Sequence, residues 1–361
     1  MGGELDKPIL IKNPIDGKTK LFRYGINEVQ GYKKTMEVFY FIDNDLGPDK
    51  NVNIFGLFEG HSGREIAKYL SLNFTSELLK NNNFINGNYK QALIETCKNI
   101  DASLRTNEVN DKLINFREEN NDEKRTKIID LYKTIDKNSN LISSEIEEIN
   151  TLFDLINPNN LEEVFISDFV GASGIIILII DKTTYVAKAG NSHCIIIKKK
   201  NSVNTIDINF FKQNYYKNKE NEKRRIKIAK ELKTGKTVSE NKEYLYTKGF
   251  GDFNYKNNHL LSIEEQEVSS EPDIYEIPNE NLQFLIICNS GFFENEKDIN
   301  INYNNIEKNI ANYFIPKLQN KKIIISDIIG DYFDECITIK NNNDNYNKNN
   351  LSCIIIDYMD N

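Results

Sequence analysis

The amino-acid sequence predicts an α+β fold, in which groups of β-strands are separated by helices. Several short apolar runs are continuous rather than alternating, a pattern typical of strands that are covered on both faces. Stretches with helical spacing lie between groups of these runs and do not follow every strand. A layered α+β domain is therefore favoured over repeated βαβ units around a parallel sheet.

The predicted strands are compact apolar runs that are bounded by polar or turn-forming residues. Residues 190–193 have the sequence GNSH and form a tight link, so the strands before and after them are expected to make a hairpin. The predicted strands are Asn53–Glu59, Gly174–Ile180, Thr184–Ala189, Cys194–Lys198, Gln283–Asn289 and Leu351–Tyr358.

Helices are predicted where apolar residues recur on one face, in the stretches 64–79, 89–104 and 219–232. The stretch 106–160 is different, because it is charged and rich in Asn. We interpret it as a polar, partly helical insertion within the domain.

One part of the insertion, residues 128–145, is similar to an EF-hand loop with its incoming helix. The loop is about two residues short of the usual twelve and lacks the central Gly that the sharp turn needs. An Asn-rich chain produces such a match easily by chance, so no calcium site is expected.

Charge and hydropathy exclude two classes of partner. The net charge of −8 and the pI near 5.3 argue against a surface that follows nucleic-acid phosphates. The longest apolar run, Ile175–Ile180, is far too short to span a bilayer, and no apolar signal segment is predicted at the N-terminus. Gly2 could accept a myristoyl group, but Asp6 stands where Ser or Thr is favoured, so an unmodified polar terminus is expected.

The five cysteines form no CxxC pair, so neither a disulfide framework nor a zinc site is predicted. Cys194, Cys288 and Cys353 lie inside apolar runs, where a free thiol behaves as a small apolar side chain. This usage predicts a reducing compartment, and we expect a cytoplasmic protein.

A family resemblance begins at residues 55–63, which have the sequence FGLFEGHSG. This segment resembles F-G-V-F-D-G-H-G-G, a strand-end motif of the type 2C (PPM) Ser/Thr protein phosphatases. Further segments match that family in the correct order, and together they cover nearly the whole chain. They are residues 31–38 (GYKKTMEV, for G-x-R-x-x-M-E-D), 190–193 (GNSH, for G-D-S-R), 248–253 (KGFGDF, for R-A-x-G-D-F), 285–294 (LIICNSGFFE, for L-I-L-A-C-D-G-L-W-D) and 349–352 (NNLS, for D-N-x-T).

The resemblance implies a single type 2C phosphatase-like domain over residues 1–361, with the stretch 106–160 inserted in it. Its fold is expected to be a four-layer α-β-β-α sandwich of two antiparallel sheets flanked by helices. Enzymes of the family bind two divalent cations between the sheets, and the metals activate a water that attacks phosphoserine or phosphothreonine. Mg²⁺ and Mn²⁺ are hard cations that favour charged oxygen ligands, so such a site needs several carboxylates.

Some positions of the implied site are retained in this sequence. Glu37 keeps an acidic side chain, and Gly60 keeps the residue whose backbone carbonyl binds metal in the family. His61 keeps the possible general acid for the leaving oxygen. Asp168, three residues before Gly171, matches an outer metal ligand of some family members.

Other positions of the implied site have changed. Glu59 stands for the bridging Asp, and its oxygens are displaced by roughly 1.5 Å if the backbone is unchanged. Ser290 and Asn349 each replace a metal-ligating Asp. Lys33 replaces the phosphate-binding Arg and so loses its two-pronged donor geometry, and Val38 replaces the acidic partner of Glu37.

Structural roles for the remaining polar residues follow if no metal is bound. His61 is then a histidine hydrogen-bonded to a neighbour, and Asp252 is a turn and packing residue rather than a ligand. Glu37 and Glu59 are expected to pair with Lys33 or Lys34 as an internal ion network.

Two functions from different classes follow from these substitutions. The first is a catalytically inactive pseudophosphatase that serves as a scaffold or regulatory binding protein for another protein, with no cofactor. The alternative is a divergent, active metal-dependent Ser/Thr phosphatase that binds Mg²⁺ or Mn²⁺ through Glu59. The lost carboxylates favour the first, because a site with few charged ligands binds such ions weakly.

Overall fold

Two antiparallel β-sheets pack face to face, with helices against the outer face of each sheet. The computed structural model describes residues 5–47, 51–118, 165–200, 203–206, 209–234, 247–280, 282–292, 303–337 and 349–359. The strands, in chain order, are β1 (Ile9–Lys12), β2 (Ile15–Lys18), β3 (Phe22–Gly31), β4 (Val38–Leu46), β5 (Val52–His61), β6 (Gly171–Ile180), β7 (Thr183–Ala189), β8 (His193–Lys200), β9 (Val203–Ile206), β10 (Phe250–Gly251), β11 (Asp273–Pro278), β12 (Leu282–Cys288) and β13 (Leu351–Tyr358).

Neighbouring strands in the described part of both sheets are antiparallel. The first sheet has the order β1-β3-β13-β12-β8-β9, and β2 also pairs with β3. The second has the order β11-β7-β6-β5-β4, and the short β10 pairs with β6. The predicted hairpin joins β7 to β8, but these strands belong to different sheets, so that prediction is wrong.

The helices are α1 (Glu65–Lys80), the single turn α2 (Asn82–Ile85), α3 (Tyr89–Ser103), α4 (Asn107–Glu118), α5 (Asn209–Thr234), α6 (Tyr303–Leu318) and α7 (Ile325–Ile337). Helices α1 and α3 pack on the second sheet, α4 packs against α1, and α6 and α7 pack on the first sheet. No helix in these described ranges is long and apolar enough to cross a membrane.

The core between the sheets explains the continuous apolar strands. Phe55, Leu57 and Ile177 point into this central layer, where each is at most 1 % exposed. Phe58 and Ile176, which alternate with them, pack instead beneath α1. Both faces of β5 and β6 are therefore covered, as their sequences predict, and the four-layer α-β-β-α sandwich is confirmed.

Seven strands in the described residues are not predicted from the sequence, and they are β1, β2, β3, β4, β9, β10 and β11. Polar residues interrupt the apolar pattern of β3 at Asn27 and Glu28 and that of β4 at residues 43–45 (DND), and each of the other five strands has six residues or fewer. The start of the predicted insertion is the helix α4, whose Val109 and Leu113 are buried in the core beside the second sheet. Residues 119–164, including the EF-hand-like segment, lie outside the described residues, as does Gly2.

A buried ion pair joins the loop after β10, which contains Lys256, to helix α3. Lys256 donates to Asp101 of α3 at 2.7 Å and to the carbonyl of Gly249 at 2.9 Å. The other oxygen of Asp101 accepts from the Gly251 N–H at 2.7 Å. Both side chains of the pair are at most 3 % exposed, so each charge depends on the other for its solvation.

Replacing Asp101 by Asn should destabilise the protein strongly, because it leaves the Lys256 charge buried without its counter-ion. We expect a loss of about 3 to 5 kcal/mol in the free energy of unfolding, measured by chemical denaturation. Glu77→Gln is the matched control, since it breaks an exposed pair with Lys80 and should cost under about 1 kcal/mol. Equal effects of the two variants would contradict the role given to the buried pair.

Candidate functional site

The predicted site residues meet at one end of the sandwich, in the space between the two sheets. β5 of the second sheet ends there with Glu59 and His61, and β12 of the first sheet leads there into Asn289 and Ser290. Hydrogen bonds join these ends to each other and to the segment before β13, which contains Asn350. The sequence motifs that are distant along the chain are thus neighbours in the fold.

The Glu59 carboxylate is held by donors from the turn after β12. One oxygen accepts from the Ser290 N–H at 2.9 Å, and the other accepts from the Ser290 hydroxyl at 3.0 Å and the Asn289 amide at 2.9 Å. Burial raises the pKa of Glu59, while these hydrogen bonds and the charge of Lys33 oppose that rise. Glu59 therefore spans the gap between the sheets through direct hydrogen bonds.

Lys33 and Glu37 form an ion pair beside this carboxylate. The Lys33 ammonium lies 2.7 Å from the Glu37 carboxylate, and the Thr35 hydroxyl lies 3.4 Å from its other oxygen. This pair is one half of the predicted internal ion network, whereas the Glu59 oxygens accept hydrogen bonds from residues 289–290 instead of pairing with a lysine. Lys33, which replaces the family's Arg, is thus paired with an acidic residue of the same site. This pairing weakens the attraction of the Lys33 ammonium for a phosphate group.

Val38 follows Glu37 and belongs to the core rather than to the site. It is 1 % exposed and packs between the sheets with Phe55 and Ile177. The register of the sheet places it directly opposite Glu59 on the neighbouring strand. An acidic side chain there is replaced by apolar packing, so the carboxylate that the family has beside Glu37 is absent.

Asn350 organises the segment that carries Lys33 and Glu37. Its side-chain oxygen accepts from the Glu37 N–H at 2.9 Å, and its amide donates to the carbonyls of Gln30 and Thr35 at 2.8 and 3.1 Å. Asn350 is 1 % exposed. Its neighbour Asn349 lies beside Gly291, where an added Cβ would come 3.2 Å from the Cβ of Asn349.

Gly60 is needed for the tight packing of the loop that follows Glu59. Its N–H donates to the Glu37 carbonyl at 2.8 Å. A Cβ at this position would lie only 2.4 Å from the carbonyl oxygen of Gly63. The retention of Gly60 is therefore explained by packing alone, whether or not its carbonyl binds a metal.

His61 is paired with Asp252, as expected for a histidine that is held by a neighbour. The ring Nε2 lies 2.6 Å from a carboxylate oxygen of Asp252, whose side chain is 4 % exposed. Asp252 adopts a left-handed backbone conformation with φ 53°, in agreement with its predicted turn role. A Cβ on Gly171 would lie within 2.3 Å of both partner atoms, so this glycine makes room for the pair.

Asp168 is used locally by the chain that surrounds it. One of its oxygens accepts from the Arg105 guanidinium, and the other accepts from the Phe165 N–H at 3.3 Å in a short 3₁₀ turn. Arg105 also lies over the ring of Phe253, 5.4 Å from its centroid. The position that matches an outer metal ligand thus carries a charge that is already compensated.

These residues do not fit a pair of hard divalent cations. Such ions need several carboxylate oxygens that converge on one point, whereas Ser290 and Asn349 are neutral and the Glu59 oxygens face protein donors. Among the residues that the structure describes, no group of three or more His, Cys, Asp and Glu could hold a metal ion. The polar side chains of the site instead form hydrogen bonds and ion pairs with one another.

Three contributors to the site are not assigned that role by the sequence. Asn289 and Asn350 lie in the recognised motifs but are inconspicuous there, and Asp252 is predicted only as a turn residue. Their partners are far away along the chain; Asn289 and Glu59 are separated by 230 positions. Asn289 and Asn350 lie next to Ser290 and Asn349 in the motifs of the site, and this position is the signal from which their roles could have been predicted.

The sequence of the chain is similar to those of known protein phosphatases. The family model for protein phosphatase 2C matches residues 22–123 and 111–298. The chain is 26% identical over 298 residues to "Probable protein phosphatase 2C 5" of Paramecium tetraurelia, covering 81% of this chain and 82% of the relative. It is 27% identical over 304 residues to "Probable protein phosphatase 2C 21" of Arabidopsis thaliana, covering 81% and 78%.

Two solved structures share the fold. A phosphatase from a pathogenic strain of Toxoplasma gondii matches with a TM-score of 0.58 at 14% identity, covering 96% of each chain. A serine-threonine phosphatase 2C from Toxoplasma gondii matches with a TM-score of 0.52 at 11% identity, covering 97% of this chain and 99% of its own. At these identities the likeness supports the fold, including both antiparallel sheets.

Replacing Asn350 by Ala should loosen the segment that carries Lys33 and Glu37, because a buried N–H and two carbonyls lose their partner. We expect a loss of about 3 kcal/mol in the free energy of unfolding and faster hydrogen exchange at the Glu37 amide. Asn13→Ala is the control, because its single bond to Glu28 is exposed and should be worth under about 1 kcal/mol. Unchanged exchange at Glu37 in Asn350→Ala would contradict this assignment.

Proposed function

The chain belongs to the protein phosphatase 2C family, and we propose that within this family it is a pseudophosphatase, a catalytically inactive binding protein on the family fold. In this proposal the protein holds another protein as a scaffold or regulator and needs no metal ion. The family supplies the sandwich, while the function depends on what the site residues have become.

The observation that carries the proposal is the internal pairing of the acidic side chains. Glu37 pairs with Lys33, Asp168 pairs with Arg105, and the Glu59 oxygens accept three hydrogen bonds from residues 289–290. In the family, water becomes a nucleophile near neutral pH because metals bind it. These contacts already use acceptor positions of the three carboxylates, and Lys33 and Arg105 place positive charges beside two of them, so the site is less favourable for two such ions.

The alternative, a divergent active phosphatase that uses Glu59 with Mg²⁺ or Mn²⁺, is favoured by a different observation. His61 is retained and held by Asp252 at 2.6 Å, the arrangement that a general acid needs for a fixed orientation. The relatives named above also carry the name phosphatase. A general acid acts on the leaving oxygen and supplies no nucleophile, so this feature alone does not restore the reaction.

A binding role and a cytoplasmic location are further parts of the proposal. The binding role is supported by the complete layered core, which persists although the chemistry of the site has changed. The location is supported by the five free cysteines, all of which except Cys336 are buried. Free thiols in this number are typical of a reducing environment.

The unmodified protein should not hydrolyse a phosphoserine peptide or an aryl phosphate above background in excess Mn²⁺ or Mg²⁺, because metal-activated water and charge neutralisation of the phosphoryl group are both missing. Phosphate release measures this, and titration calorimetry with Mn²⁺ should show no tight site. Robust turnover that a chelator and Glu59→Ala both abolish would refute the proposal. Turnover that survives Glu59→Ala would indicate a contaminating phosphatase.

Restoring the family's acidic residues tests the same reasoning in the opposite direction. The triple variant Glu59→Asp, Ser290→Asp and Asn349→Asp should gain measurable Mn²⁺ binding by calorimetry, because it adds two carboxylates to the site. Activity should return less readily, since Lys33 and Val38 still leave phosphate recognition and the second acidic position incomplete. No gain of metal binding in a folded triple variant would show that these three positions are not the cause of the loss.

Phosphopeptide binding at Lys33 should be weak, because Glu37 partly neutralises its charge and an ammonium lacks the paired donors of Arg. Binding of a phosphoserine peptide, followed by fluorescence anisotropy, should be the same for Lys33→Ala and the control Lys34→Ala. These adjacent variants remove the same charge. A selective loss of affinity in Lys33→Ala would instead indicate a phosphate-dependent binding protein.

A further inference from the structure

We propose that Glu59, Asn289 and Ser290 form a clasp, a set of direct hydrogen bonds that joins the two sheets where the family places its metal ions. The inference rests on the proposed absence of a metal requirement and adds a structural role for the altered residues. It treats their substitutions as one coupled change rather than as separate losses.

The clasp connects elements that belong to different sheets. Glu59 lies on β5 of the second sheet, whereas Asn289 and Ser290 directly follow β12 of the first sheet. The three hydrogen bonds between them have lengths of 2.9 to 3.0 Å. These contacts therefore cross the gap between the layers and are made by side chains at the site itself.

The chemistry of the three positions explains why no cation is needed there. In the family motifs quoted above, the residues at positions 59 and 290 are both Asp, so two carboxylates face the same gap. Two acceptors of like charge repel unless a cation lies between them. Here one acceptor, Glu59, faces a hydroxyl, an amide and a backbone N–H, which are all donors.

The lengths of the side chains are complementary as well. Glu59 is one methylene longer than Asp, which extends its reach by roughly 1.5 Å. Ser290 is shorter than Asp and offers its hydroxyl at 3.0 Å. A shorter Asp at position 59 would leave these donors roughly 4.4 Å away, beyond hydrogen-bonding distance.

Asn289 extends the clasp into the neighbouring strand. Its amide donates both to Glu59 and to the Asn350 carbonyl at 2.9 Å, and its side-chain oxygen accepts from the Ser352 N–H at 3.0 Å. The residue is fully buried. The contact across the sheets is therefore continuous with the segment that carries Asn350 and, through Asn350, with Glu37.

Thermal unfolding of Glu59→Asp, Glu59→Gln and the unmodified protein, each with and without a chelator or Mn²⁺, tests the clasp. Glu59→Asp should lower the midpoint by several degrees, because the shorter arm no longer reaches the turn. Glu59→Gln should lower it less, since its amide oxygen still accepts bonds. Neither chelator nor Mn²⁺ should shift the unmodified protein, and a midpoint that Glu59→Asp leaves unchanged or raises overturns the clasp.

A double-mutant cycle between Glu59→Ala and Ser290→Ala measures the interaction between the two residues separately from the loss of stability that each variant causes alone. The two changes should be markedly non-additive, because each removes the same contact. If the variants unfold too readily, exchange of the Ser290 N–H provides the readout, slow in the unmodified protein and faster in Glu59→Gln. Additive effects or unchanged exchange overturn the clasp.

The outcomes separate this inference from the proposed function. Loss of stability on chelation, together with metal-dependent turnover, would overturn both the clasp and the pseudophosphatase proposal. Additive variants in a protein that remains inactive and insensitive to metal would overturn the clasp alone. Ser290→Asp provides a final check, because the facing carboxylates should lower the midpoint more than Ser290→Ala does, and an equal effect would count against the clasp.

Discussion

The Glu59 carboxylate meets a hydroxyl, an amide and a backbone N–H across the gap between the two sheets. A buried acceptor needs donors, and in a metal site those donors are replaced by cations that several carboxylates share. In this chain the donors are protein groups, so the same gap is closed by hydrogen bonds. The polar contacts around Glu37, Asn350 and the turn at 289–290 are connected to this arrangement through the Asn289 side chain.

The layered core is stabilised independently of the polar residues of the site. The strands in the middle of both sheets are covered on both faces, and their packing depends on apolar area rather than on charges at one end. Val38 illustrates the relation, because it occupies the family's acidic position and yet packs in the core between the sheets. The packing of the core can therefore be explained without the charges of the site, and a phosphatase fold does not by itself specify a phosphatase.

Much of the fold could be predicted from local sequence. The continuous apolar runs at β5, β6 and β13 predict strands covered on both faces, and the helical spacing of residues 64–79 and 89–104 predicts α1 and α3. β3 and β4 are not predicted, because polar side chains interrupt the apolar pattern of both strands. The link at 190–193 resembles a hairpin, but it crosses from one sheet to the other, which local sequence does not encode.

The sequence alone determined which charges the site has lost, since Ser290, Asn349 and Val38 can be recognised from the motifs in which they stand. It also indicated the pairing of Glu37 with a nearby lysine, because Lys33 lies four positions away. Only the tertiary structure decided what Glu59 binds and that Asp252 holds His61, pairs separated by 230 and 191 positions. The physical reason is that such contacts arise when the two sheets pack, and no local pattern fixes which donors then face which acceptors.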